Sequence, residues 1–120
     1  MDAGSPEALH RLANTYQDQG KLDRAISCYR RALRARPDFA EAHNDLGTAY
    51  FAKGWYQEAV ASYRETLRLN PDNHSAHANL GETLLKLRQF GEARKSMRAA
   101  VWLRIRGLLR RLLPSARARS

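Results

Sequence analysis

The chain has 120 residues, 43% hydrophobic and 28% charged, with a mean hydropathy of −0.64. That supplies one core and leaves no room for a second sizeable domain. The longest unbroken apolar run, Ala99–Leu103, falls far short of the roughly 20 residues that span a bilayer, so no membrane insertion is expected.

In chain order the sequence repeats itself at a spacing of 34. Residues 6–39 carry Leu12, Ala13, Tyr16, Gly20, Ala25, Tyr29 and Leu33 and close at Pro37. Residues 40–73 carry Leu46, Gly47, Tyr50, Gly54, Ala59, Tyr63 and Leu67 and close at Pro71. Residues 74–105 follow with Leu80, Gly81, Leu84, Arg88, Ala93, Met97 and Val101, and Ile105 stands where the closing proline should be. A period of this length signals a solenoid or array.

Each unit reads as two helices. In the second, Ala42, Leu46, Ala49 and Tyr50 recur at helical spacing until Gly54 breaks the pattern. Ala59, Val60, Tyr63 and Leu67 form the next stripe, which Asn70-Pro71-Asp72 stops, because proline cannot continue a helix. Small residues at Gly47 and Ala59 let the two helices approach, and tyrosines fill the space beside them. No segment alternates like a strand, so the chain is expected to be all-α.

The third unit departs twice, at Arg88 for the turn glycine and at Ile105 for the proline. With no stop signal the last helix is expected to run on over 106–114. Trp102, Ile105, Leu108, Leu109, Leu112 and Leu113 make an apolar stripe with Arg104, Arg106, Arg110 and Arg111 between them. This extension is expected to cap the third unit or to pair with a second copy as a homodimer, through those six apolar residues. Pro114 ends it, and 115–120 reads as a disordered basic tail.

The formal charge of +9 lies wholly in this region. Residues 1–87 hold 11 Lys/Arg and 11 Asp/Glu, whereas residues 88–120 hold ten Lys/Arg against Glu92 alone. Such asymmetry points to an anionic surface or nucleic acid as an alternative partner for the arginine-rich helix. Nucleic acid is disfavoured, because Trp102 is the only aromatic near the stripe. The single Cys28 excludes an internal disulfide, and the start Met1–Pro6 has neither a basic nor an apolar leader segment, so a cytoplasmic location is expected.

These residues resemble the tetratricopeptide repeat family, whose 34-residue unit carries a large residue, Leu-Gly, Tyr, a turn glycine, Ala, an aromatic, Ala and Pro. His43, Leu46, Gly47, Tyr50, Gly54, Ala59, Tyr63, Thr66 and Pro71 carry the resemblance in the second unit. It implies a right-handed α-solenoid of three helix-turn-helix hairpins, over 6–39, 40–73 and 74–105, plus a C-terminal amphipathic helix. It further implies a non-catalytic scaffold that binds a protein or peptide in the concave groove lined by the first helix of each unit. By register that groove presents His10, Arg11, Asn14 and Gln17, then Asn44, Asp45, Thr48 and Phe51, then Asn79 and Glu82.

Family members that grip a C-terminal carboxylate use Lys, Asn, Asn, Lys and Arg at five groove positions, which read here His10, Asn14, Asp45, Ser75 and Asn79. Only Asn14 matches, so that clamp is not expected. His43, His74 and His77 fall short of the three or four ligands of a zinc site, and no phosphate loop or catalytic triad spacing is present. No metal, cofactor or enzyme activity is expected of this chain; a further alternative is a fragment of a larger enzyme whose repeats position a partner or substrate.

Overall fold

The computed structural model describes residues 4–112. Its helices are α1 (Pro6–Asp18), α2 (Leu22–Ala35), α3 (Ala40–Ala52), α4 (Tyr56–Leu69) and α5 (His74–Leu112), with no strand among the described residues. The expected all-α class is what forms.

The helix ends follow from local chemistry. Ser5 caps α1 by accepting the Ala8 N–H at 3.1 Å, and Pro6 begins the helix where its missing N–H goes unmissed. Gly20 and Gly54 follow α1 and α3 with φ of 75° and 79°. That left-handed residue folds the N–H of Lys21 back onto the Tyr16 carbonyl at 2.8 Å, and that of Trp55 onto Tyr50 at 2.9 Å. α2 and α4 stop just before Pro37 and Pro71, each with a last N–H, from Arg36 or Asn70, bonded four residues back. The 34-residue period is thus written into the backbone as well as the sequence.

Two compact units divide the chain between Leu87 and Arg88, inside α5, and each is described by itself. In the first, α1 packs on α2, α2 on α3, α3 on α4, and α1 also reaches α3. Ala13, Ala25, Tyr29, Ala49, Ala59 and Tyr63 are buried in one core, with Leu80 from the start of α5 packed against it. The close approach is real at Gly47: a Cβ there would lie 2.6 Å from Tyr63 Cε1. Cys28 is a buried free thiol. His43 and His77 each place Nε2 2.8 Å from the carbonyl of a turn proline, Pro37 and Pro71 respectively. Donating there, they hold the turns between successive repeats.

The third hairpin expected over 74–105, with its turn at Arg88, does not form: α5 continues unbroken from His74 to Leu112. The cause is local. The turns after α1 and α3 depend on a left-handed residue, and among the described residues only glycine adopts one. Arg88 stays helical and places Nε 3.3 Å from Glu92 one turn on. Ile105 keeps the N–H that a closing proline would lack. In the second unit Val101, Trp102, Leu103, Ile105, Leu108, Leu109 and Leu112 are between 44% and 65% exposed. Leu113, the expected stop at Pro114 and the tail 115–120 lie outside the described residues.

Candidate functional site

The sequence-derived groove positions all belong to the first unit, on α1, α3 and the His74–Leu87 part of α5. Four of them come together in two pairs. His10 on α1 places Nε2 2.6 Å from Asp45 Oδ2 on α3, and its ring packs against Phe39 and Tyr29 at centroid distances of 4.9 and 5.9 Å. Asn44 on α3 accepts from Asn79 Nδ2 on α5 at 3.4 Å, and the same Nδ2 lies 3.4 Å from Ser75 Oγ. Thr48 donates to the Asn44 carbonyl at 3.2 Å. Phe51 is half-buried, with its ring edge-on to Tyr56 at 5.2 Å. Arg11 and Glu82 are exposed; the Arg11 charge helps lower the Glu7 carboxyl and the Glu82 charge helps raise the Tyr63 phenol.

Two residues at the base of this face were legible in the sequence only as core fillers. The Tyr29 ring is fully buried, yet its hydroxyl donates to Asn14 Oδ1 and sits 2.7 Å from Gln17 Oε1. The Tyr63 hydroxyl lies 3.2 Å from Thr48 Oγ1. The signal was the choice of tyrosine over phenylalanine at positions that a hydrocarbon ring could fill. Burial pushes both phenols above the ordinary tyrosine value, and the carboxylate of Asp45 adds to the shift at each. Both therefore remain neutral hydroxyls at physiological pH.

This arrangement fixes which amide atoms are left without a partner among the described residues. The Oδ1 atoms of Asn14 and Asn44 are engaged by Tyr29 and Asn79, so their Nδ2 groups stay unpaired among the described residues. Asn79 is the reverse, with Nδ2 engaged and Oδ1 unpaired among those residues. With two N–H on each free Nδ2, the face can donate up to four hydrogen bonds, and it can accept at the Asn79 Oδ1, from carboxamides whose orientation is already set.

The extension residues Trp102, Ile105, Leu108, Leu109 and Leu112 lie on the second unit. There, Arg94, Arg98, Val101, Trp102 and Ile105 line one shallow depression. Among the described residues no three His, Cys, Asp or Glu side chains gather to hold a metal ion.

Comparison with known proteins gives one family. The tetratricopeptide repeat model matches residues 10–74 and again 46–108. No curated protein matches the chain. Among solved structures, the crystal structure of MamA is similar at 26% identity with a TM-score of 0.70. That match covers 78% of this chain and 55% of the MamA chain, so the present chain spans about half of its length. The first TPR of Spaghetti (RPAP3), solved bound to the HSP90 peptide SRMEEVD, is similar at 28% identity and a TM-score of 0.68, covering 75% of this chain and 71% of that one.

Proposed function

The chain belongs to the tetratricopeptide repeat family, and from that premise we propose that it binds an extended peptide across α1, α3 and the beginning of α5. Its general character is that of a protein–protein interaction scaffold. The observation that carries the finer reading is the set of three half-buried carboxamides, Asn14, Asn44 and Asn79, each with one polar atom engaged and the other unpaired among the described residues. A peptide backbone alternates donors and acceptors, so it matches such a row without demanding one side-chain sequence. Phe51 supplies the apolar anchor beside it.

The Spaghetti domain, solved with SRMEEVD, shows that a relative of this fold takes a peptide. The chemistry here favours a different kind of segment. Asp45 stands where a carboxylate clamp needs a donor, and a chain-terminal carboxylate approaching it meets like charge. The reading is therefore an internal peptide stretch held by its backbone, on a scaffold that performs no catalysis itself and acts in the cytoplasm.

Selection of a random peptide library on the intact chain tests this. Peptides recovered should lose about 5- to 30-fold in affinity on Asn44→Ala/Asn79→Ala and on Phe51→Ala, with helicity unchanged, as expected when a central anchor of about 1–2 kcal/mol is removed. Peptides that bind these variants as tightly as the parent, or that map to α2 and α4, refute the groove assignment.

A further inference from the structure

The second unit presents a surface that peptide binding does not use, and we propose that it docks on the face of an anionic lipid bilayer. Between Arg88 and Leu112 stand eight Lys/Arg against Glu92 alone. Val101, Ile105, Leu108 and Leu112 follow at spacings of four, three and four, which places them on one side of the helix, and Trp102 and Leu109 widen that side. All six are exposed among the described residues. The same helical spacing sets Arg104 and Arg111 along one border of the apolar side and Lys95 and Arg106 along the other.

Three occupants compete for such a face, and charge together with apolar length separates them. A second copy would cover the leucines, but the seam runs for fewer than two heptads where a stable coiled coil needs about three or four. It would also bring a helix of net charge +7 against its equal. Nucleic acid would neutralise the arginines and leave Trp102, Ile105, Leu108, Leu109 and Leu112 in water. Only Phe90 and Trp102 could stack on bases, and the Phe90 ring already faces the Arg94 guanidinium at 5.2 Å. An anionic bilayer uses both features at once. The apolar side chains sink about 5–10 Å into the headgroup boundary while the bordering cations reach the lipid phosphates along their own aliphatic stems. Because no described helix is long and apolar enough to cross a membrane, the helix lies in the interface plane.

The test is sedimentation of the full chain with vesicles of phosphatidylcholine alone and with about 30% phosphatidylserine, at about 0.1 M salt. Binding should be confined to the anionic vesicles and weaken as salt rises. Each cation at such a surface is worth about fivefold in partitioning, so Arg104→Gln/Arg106→Gln/Arg111→Gln should lose on the order of 100-fold. In a Trp55→Phe background Trp102 is the sole tryptophan, and its emission should shift to the blue on the anionic vesicles. Ile105→Asn/Leu108→Asn should abolish that shift while circular dichroism of the first-unit helices is retained. Equal binding to neutral and anionic vesicles, bound chain with unshifted Trp102 emission, a dimer through this face that vesicles do not dissociate, or duplex DNA binding without vesicle binding would each overturn the proposal.

Discussion

Gly47 and Gly81 occupy the same place in successive 34-residue repeats, and substituting alanine at each should move stability in opposite directions. A Cβ at Gly47 would sit 2.6, 2.8 and 3.0 Å from Cε1, Cδ1 and Cζ of Tyr63. Carbon atoms rest at about 3.5–4.0 Å, so the ring has to give way by nearly 1 Å. It has little room to do so, being 2% exposed with its hydroxyl beside Thr48. Overpacking of this kind costs about 1–3 kcal/mol, and an overlap this deep belongs at the upper end. Alanine returns about 1 kcal/mol of helix propensity. The net loss is about 2 kcal/mol, equivalent to a fall of roughly 8–16 °C in Tm for a domain of this size. At Gly81 no described atom lies within 4 Å of the added Cβ, so only the propensity gain remains, about 0.5–1 kcal/mol. Urea unfolding of the two variants beside the parent reads both signs. A Gly47→Ala chain as stable as the parent would show that the Tyr63 ring is free to move. A destabilised Gly81→Ala chain would show a side chain seated over that glycine, and the description of α5 as an open helix would fail.

Alkaline pH should unfold the chain through its buried phenols. Burial raises Tyr29 and Tyr63 above the ordinary value near 10, so the stability they contribute is complete below about pH 10 and is lost as pH climbs through the raised folded-state values. Tyr29→Phe should make the fall of Tm between about pH 10 and 12 shallower while lowering Tm at pH 7, where the Asn14 Oδ1 loses its donor at about 1–3 kcal/mol; an unchanged alkaline limb refutes the assignment. Arg88→Gly removes the contact to Glu92 and places glycine inside α5, so amide exchange over residues 86–92 should accelerate about fivefold for the roughly 1 kcal/mol lost. Protection equal to that of the parent would show that this stretch of helix is not held by local propensity.

The hairpins were legible because each of their causes is local. Gly20 and Gly54 supply the left-handed residue, Pro37 and Pro71 remove an N–H, and Ala25 and Ala59 leave room for a neighbouring helix. Arg88 and Ile105 stood out in the sequence as departures, and the same local rules explain why α5 runs on. A helix given neither a left-handed stop nor a proline has no reason to end. What the repeat could not reveal is what its tyrosine hydroxyls touch, since alignment of Tyr29 with Tyr63 equates two rings and says nothing of their tips. Tyr29 meets a carboxamide and Tyr63 a threonine.

Within the first unit, the seams between successive repeats pair residues that the 34-residue alignment keeps apart. Aligning the chain at 34 sets His10 with Asn44, and Asp45 with Asn79, as though each were an independent groove position. In space the partners are offset by 35: His10 meets Asp45, and Asn44 meets Asn79. Each seam therefore uses one side chain from an upstream first helix and one from the next, a step further along. The two seams share one sequence offset and differ in chemistry, the first a histidine–carboxylate pair at 2.6 Å and the second a pair of amides at 3.4 Å. A carboxylate clamp asks for a donor at Asp45, and in this chain that position is a carboxylate already committed to His10. Replacing Asp45 with asparagine alone would leave His10 facing an amide and would not recreate the clamp, because Ser75 and Asn79 still lack its cations. Selectivity along this face is then a property of seam pairs, and altering it requires changing both members of a pair.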